Sequence, residues 1–376
     1  MKFGRKKVGT MTFHMAHNYG AMLQAYALPA AVKKLGCHCE VIDYRFPYID
    51  RWARMERLPE LVERCGLVGG YLRYGKRLLN GTYRKRTMQT KFSAFEQEII
   101  PTSKRIYRSK EALHDLPYDA ILFGSDQIWN SALIDGVAEE YVGGFPCLPH
   151  TKKIAYAASC GKEDFQLESR QIYEEHIKSF SAISVREQAF RDTLVSRGFE
   201  AECVLDPTLL LCAEEWKRCI PRKLRKTDGK YLLVYAFDED ERLYDAIRAF
   251  AAERELEIIA IAYQKKDSMH HMDVRTDCGP LEFLSLFANA QHVVTTSFHG
   301  TVFSVIFHKN FHCVPHPLYR ERTDSLLKLL KLENHSAEQI DVLQEPAVDW
   351  ARTDAILERE RNRAYGFLKN ALGLDG

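Results

Sequence analysis

No C-x-x-C pair occurs among the ten cysteines, and only Cys37 and Cys39 fall close together, so neither a disulfide framework nor a zinc knuckle organises the chain. No apolar run approaches the ~18 residues that a membrane span needs, and the opening Met1 to Val8 leads into no signal-peptide core. These absences predict a reduced, cytoplasmic protein. Also missing are G-x-G-x-x-G, the P-loop, H-E-x-x-H and G-x-S-x-G, which removes the usual support for dinucleotide, P-loop nucleotide, zinc-protease and serine-hydrolase readings. No DNA or RNA motif is found, so nucleic acid is not an expected partner. There is no internal repeat and no low-complexity tract.

What is present is a soluble composition, 46% hydrophobic and 28% charged, over 376 residues. That length exceeds what a single hydrophobic core usually supports, so two domains are expected. The net charge of +2 says little by itself, but it is unevenly spread. Between Arg45 and Lys91 there are 12 Lys or Arg against 4 Asp or Glu, interleaved with Trp52, Tyr71, Tyr74 and Tyr83. One reading of this basic insertion is a solvated surface. The sharper reading is peripheral contact with an anionic membrane, at the inner face of the plasma membrane, or with a lipid-linked diphosphate.

Val8 to Phe13 reads as a strand, Gly20 to Lys34 as a helix and Cys39 to Tyr44 as a strand. Short apolar runs bounded by turn residues at 118–124, 153–157 and 180–185 fit strands buried on both faces. Alternation of strand and helix predicts a doubly wound α/β domain over 1–220. The polar stretch Pro221 to Gly229 reads as a connection. A second α/β series over 221–345 follows, with strands at 231–237 and 257–263 and helices at 240–254 and 281–290. From 346 to 376, Trp350, Ile356, Leu357, Phe367 and Leu368 recur at helical spacing, which predicts an amphipathic helix packed on the body. Two such domains facing each other place a ligand cleft between the carboxyl ends of their strands.

Five segments fall where that cleft is expected. His292-Val-Val-Thr-Thr-Ser-Phe-His-Gly-Thr301 reads as strand, tight turn and helix start, and its backbone N–H groups suit an anion. Its His299, placed in the turn, can hold a phosphate oxygen or move a proton. Asn18, Tyr19 and Gly20 open a helix and could cradle an anion, or simply form an ordinary capped turn. Ser125, Asp126, Gln127, Trp129 and Asn130 put polar groups and an indole on one loop, a mixture that suits a sugar; the plainer reading is an Asx-turn with Trp129 in the core. Arg186 ends a strand and can hold a carboxylate or phosphate bidentately, or pair with Glu187 on the surface. Asp206-Pro207 most simply ends a strand and starts a turn. Asp238-Glu239-Asp240 matches D-x-D but precedes a helix, where acidic residues suit the dipole. His14 with His17, and His270 with His271 and Asp273, lack a ligand set, so no metal is expected.

Taken in order, N-Y-G-A-x-L-Q-A-Y-A-L, G-S-D-Q-I-W-N, Y-A-A-S-C-G, S-V-R-E, L-D-P-T-L-L-L and T-T-S-F-H-G-T-V-F-S-V-I-F resemble the polysaccharide pyruvyl transferase family, from about Gly9 to about Leu330. The resemblance implies two Rossmann-like domains facing across a cleft, similar to GT-B glycosyltransferases, and transfer of a pyruvyl group from phosphoenolpyruvate onto a sugar hydroxyl pair of a cell-surface glycan. Phosphoenolpyruvate is then a co-substrate and no cofactor is called for. Some relatives have an acidic residue where this chain has Ala21, so Asn18, Tyr19 and Gly20 are expected to bind rather than to catalyse. Ketal chemistry needs an acid, a base and a holder for two anionic groups. The expected acid is His299 and the expected base Asp126. Arg186, Ser297, Gly300, Thr301 and Arg322 are placed at the donor, and Ser125, Trp129, Asn130 and Glu187 at the acceptor, a sugar that could be lipid-linked. Two rivals share these features: a nucleotide-sugar glycosyltransferase and a non-catalytic saccharide-binding member of a glycan assembly.

Overall fold

A computed structural model describes residues 5–49, 66, 69, 82–134, 136–225, 229–237, 240–314, 320–336 and 347–374. Most of the basic segment 45–91, with Trp52, Tyr71 and Tyr74, lies outside the described residues, as do Asp238 and Glu239.

Seven strands form the first sheet: β1 (Lys7–Met11), β2 (His38–Tyr44), β3 (Thr102–Tyr107), β4 (Ala120–Phe123), β5 (Lys152–Ala158), β6 (Ala182–Val185) and β7 (Ala201–Cys203). Their order is 3-2-1-4-5-6-7 and every pairing is parallel. The second sheet holds β8 (Tyr231–Tyr235), β9 (Glu257–Ile261), β10 (Asp273–Arg275), β11 (His292–Thr295) and β12 (Asn310–Cys313), ordered 10-9-8-11-12, again all parallel. Parallel strands need long crossovers that cover both faces, which is why inner strands such as β4 and β8 are apolar throughout. Every residue of β4 and of β8 is buried.

The crossovers and flanks are α1 (Tyr19–Lys34), α2 (Thr82–Glu98), α3 (Leu167–Ile177), α4 (Gln188–Ser196), α5 (Ala213–Cys219), α6 (Glu241–Glu253), α7 (Pro280–Asn289), α8 (Phe298–Ile306), α9 (Arg320–Leu330) and α10 (Trp350–Leu372). Strand order reverses between β1 and β4 in one sheet and between β8 and β11 in the other. Open α/β sheets bind ligands at such points, beyond the carboxyl ends of the strands.

The sheets are joined by a shared apolar core that includes Tyr19, Trp216, Tyr235, Phe283 and Phe303. Tyr19 of α1 stacks on Phe283 of α7 with ring centroids 4.6 Å apart, and its hydroxyl donates to the Cys278 carbonyl at 2.9 Å. Such a ring pair contributes roughly 0.5–1.5 kcal/mol beyond the area it buries. Trp216 of α5 packs edge-on against Phe303 of α8 and donates from Nε1 to the Thr208 carbonyl at 3.1 Å. Thus the carboxyl ends of the two sheets are held at a fixed approach.

The last helix closes the chain back onto the first sheet. Asp349 caps its start by accepting from Arg352 N at 3.0 Å, and Gly373 ends it in the left-handed region at φ 65. Phe367, Leu368 and Leu372 are its buried stripe. From its other positions, Arg361 Nε donates to Leu209 O at 2.7 Å and Tyr365 Oη to Leu210 O at 3.1 Å. Both acceptors belong to the short 3-10 turn Pro207–Leu210 that follows β7. Among the described residues no helix is long and apolar enough to cross a membrane.

Because Arg361 also reaches Leu211 O, its guanidinium holds one carbonyl of that turn and the one that closes it. Arg361→Ala should lower stability by about 1.5–3 kcal/mol, the range for hydrogen bonds from a charged donor, read as a lower urea midpoint. An unchanged midpoint would show that α10 does not clamp the turn.

Candidate active site

Two chain segments, one from each domain, meet at the buried carboxylate of Asp206. This residue begins the 3-10 turn, and its Oδ1 caps that turn by accepting from Thr208 N at 2.9 Å and Thr208 Oγ1 at 2.6 Å. Its Oδ2 faces the other way. There it accepts from Arg186 Nη1 at 3.0 Å and Ser125 Oγ at 3.3 Å, and lies 3.8 Å from His299 Nε2. The sequence assigned Asp206 only to a turn; it serves the turn with one oxygen and the site with the other.

Arg186 and Glu187 follow β6. Rather than a surface pair, their side chains are 3% and 1% exposed, with Arg186 Nε donating to Glu187 Oε1 at 3.1 Å. Ser159 Oγ donates to the same Oε1 at 2.8 Å. Burial by itself would lower the Arg186 pKa, but the carboxylates of Glu187, Asp206 and Asp126 outweigh it and keep the guanidinium charged. Burial likewise would raise Asp206, yet His299, Arg186 and the Thr208 hydroxyl hold it well below the usual carboxylate range.

His299 enters from the second domain. The helix begins at Phe298, one residue before His299, so His299 lies in the first turn of α8, after β11, and not in a turn ahead of the helix. Ser297 is the N-cap, its hydroxyl accepting from Gly300 N at 3.4 Å, and Thr301 Oγ1 returns to Ser297 O at 3.2 Å. A Cβ at Gly300 would fall 2.0 Å from Thr295 Oγ1, and one at Gly20 would fall 2.0 Å from His299 Nδ1. The two glycines therefore let α8 sit down on its strand and let the imidazole lie against the start of α1. Phe298 completes the site: Arg186 Cζ is 4.6 Å from its ring centroid and Arg322 Cζ 6.0 Å.

Four buried polar atoms here have no hydrogen-bond partner among the described residues: Arg186 Nη2, Glu187 Oε2, His299 Nε2 and Glu321 Oε1. Leaving such an atom unpaired costs roughly 1–3 kcal/mol, more for a charged group. A ligand that offers an anion to Arg186 Nη2 and His299 Nε2 would relieve that cost at the two nitrogens.

Several expected residues do other work. Trp129 is 1% exposed, packs among Phe165, Phe180 and Phe190, and donates to Tyr141 O at 3.0 Å, so it is a core residue and cannot lie under a sugar. Tyr19 packs between the domains and Ser125 is fully buried, supporting Asp206 rather than offering a free hydroxyl. Asn130 caps the next turn through Ala132 N and binds Gln127, while Asn18 caps α1 through Ala21 N. Asp126, half-buried and left-handed at φ 67, stays electrostatically close to Arg186. His14 does have acidic company: its Nε2 is 3.2 Å from Asp43 Oδ1, and Glu96 completes a buried group whose ligand atoms lie within 4.8 Å of one another. Arg45 already neutralises both carboxylates, at 2.5 Å from each. That cluster is therefore an ion-pair network behind β2.

Glu321, at the start of α9, was not singled out by its sequence context. Burial, Glu163 and Glu187 push its pKa up to about 7, against an opposing pull from Arg322. Since the acid is raised, it is neutral below that value and becomes an anion as pH rises through it. Sulfate stays a dianion over this range and should bind more weakly as pH rises past about 7, and Glu321→Gln should shrink that fall in a calorimetric titration. A pH slope identical to wild type would remove Glu321 from the site.

In comparison with known proteins, the family profile described as polysaccharide pyruvyl transferase matches residues 18–317. No curated protein matches the chain. Among solved structures, a UDP-GlcNAc 2-epimerase from Methanocaldococcus jannaschii is similar at 10% identity and TM-score 0.48, over 95% of this chain and 93% of that one. A glycosyltransferase from Streptomyces nogalater is similar at 10% identity and TM-score 0.41, over 99% of both chains. An E. coli heptosyltransferase is similar at 12% identity and TM-score 0.41, over 83% of this chain and 89% of that one. With its profile match spanning the first-domain loops, Arg186, Asp206 and the His299 turn, the chain belongs to the polysaccharide pyruvyl transferase family.

Proposed function

We propose that this chain transfers the pyruvyl group of phosphoenolpyruvate onto two hydroxyls of a sugar in cell-surface polysaccharide biosynthesis, forming a ketal and releasing phosphate. The observation that carries this reading is the convergence of Arg186 and His299 on one buried carboxylate oxygen, with Arg186 Nη2 and His299 Nε2 left for a ligand. Phosphoenolpyruvate carries a carboxylate and a phosphate on one central carbon. Arg186, with Arg322 on the same Phe298 ring, supplies guanidinium groups suited to both. Ser297, Gly300 and Thr301 shape the first turn of α8, whose dipole favours an anion.

In the reaction, one proton adds to the methylene carbon, which becomes a methyl group. Two acceptor oxygens bond to the central carbon as its bond to the phosphate oxygen breaks. The acceptor gives up two hydroxyl protons: one replaces the proton spent on carbon, and the other leaves with phosphate. No atom changes hands with a redox partner. His299 Nε2 is the proton donor in this scheme and Asp126 receives a hydroxyl proton. Asp206 is a positioning residue: it fixes Arg186 and faces the imidazole while its own proton affinity is too low for it to act as the acid.

Incubation with phosphoenolpyruvate and a panel of saccharides, followed by mass spectrometry, should show a product heavier by one pyruvyl ketal. His299→Ala should slow phosphate release by about 10²-fold or more, the scale of a lost acid–base group. Release at the wild-type rate by a folded His299→Ala protein, or a dependence on nucleotide sugar in place of phosphoenolpyruvate, would contradict the assignment.

A further inference from the structure

With Trp129 in the core, the site as described lacks a surface for the apolar face of a sugar. Two aromatic rings of the second sheet offer such a surface. Phe237 and Tyr263 follow β8 and β9, adjacent parallel strands, and remain 42% and 39% exposed. Their rings are parallel to within 14° with centroids 6.3 Å apart. Rings left open beyond the carboxyl ends of neighbouring parallel strands lie where open α/β sheets hold ligands.

The pair is wired to the chemistry. Tyr263 stacks on Tyr19 with centroids 6.1 Å apart and donates from Oη to His17 O at 3.2 Å, on the loop that leads to Gly20 and its contact with His299. On the other side Tyr235 packs edge-on against Phe237, with ring centroids 4.9 Å apart, and against Tyr19 at 5.8 Å. A continuous set of ring contacts thus runs from the exposed pair to Tyr19, the neighbour of Gly20 against which the imidazole lies. Plain core packing accounts for Tyr19, Tyr235 and Phe283, which are buried, but leaves the two outer rings partly exposed. A pyranose presents a C–H face that stacks on aromatic rings and a rim of hydroxyls that reach polar groups.

We infer that Phe237 and Tyr263 form the platform on which the acceptor pyranose lies, with its reacting hydroxyls turned toward His299. The inference rests on the pyruvyl-transfer reading for why a sugar is there, and it is tested by binding rather than turnover. The full-length protein is mixed with the methyl pyranosides of glucose, galactose, mannose and N-acetylglucosamine, and saturation transfer to their ring C–H protons is recorded by NMR. Phosphoenolpyruvate binding is followed separately through its phosphorus linewidth.

Wild type should saturate the C–H protons of at least one pyranoside. Phe237→Ala and Tyr263→Ala should each weaken that affinity by about fivefold or more, the scale of one aromatic contact, with phosphoenolpyruvate binding unchanged. Tyr263→Phe keeps the ring and should retain most of the affinity. No pyranoside signal from wild type, or equal affinity in Phe237→Ala, would overturn the platform. Absent phosphoenolpyruvate binding beside a pyranoside signal that Phe237→Ala weakens would instead sink the donor reading and leave the platform standing.

Discussion

The arrangement depends on keeping the Asp206 carboxylate charged inside the protein. Taking a carboxylate and a guanidinium out of water costs several kcal/mol each, and the return comes only when every remaining hydrogen-bonding position is well satisfied. Asp206 meets that condition with Thr208, Ser125 and Arg186, and a histidine from the other domain lies 3.8 Å away. Arg186 meets it only in part, since Nη2 lacks a partner among the described residues. The network is satisfied around Asp206 and incomplete at Arg186 Nη2 and Glu187 Oε2.

The rest of the fold sustains that asymmetry. The Pro207–Leu210 turn that carries Asp206 is held from below by Arg361 and Tyr365 of α10 and from the side by Trp216. Gly20 and Gly300 remove the two Cβ atoms that would push the imidazole and its helix away. Tyr19, Phe283 and Phe303 fill the space between the sheets, which keeps His299 in the first turn of α8 within 3.8 Å of Asp206, in the loop that follows β7. Here stability and function meet in the same residues.

Much of this was legible in the sequence. Buried parallel strands such as Ala120–Phe123 announce themselves as apolar runs, and Asn18 and Ser297 mark helix starts by their capping chemistry. The edge strands β3, β7, β10 and β12 did not stand out, because three or four residues, or a polar run such as Thr102 to Tyr107, carry too little pattern. Asp206 was missed for a different reason: a Asp-Pro pair explains itself as a turn, and nothing local reveals that the second oxygen is used elsewhere. Trp129 misled in the opposite sense, since an indole on a polar loop can turn inward once its N–H finds a carbonyl. Phe237 and Tyr263 lie just past their strands, where exposure is decided by tertiary packing alone.

Diffraction from crystals soaked in phosphoenolpyruvate examines the central claim most directly. The account predicts density for the ligand's carboxylate or phosphate within hydrogen-bonding distance of Arg186 Nη2, with His299 Nε2 turned toward the ligand and Asp206 still bound to Arg186. Ligand density elsewhere on the molecule, or a site in which Arg186 and His299 touch no ligand atom, would contradict it.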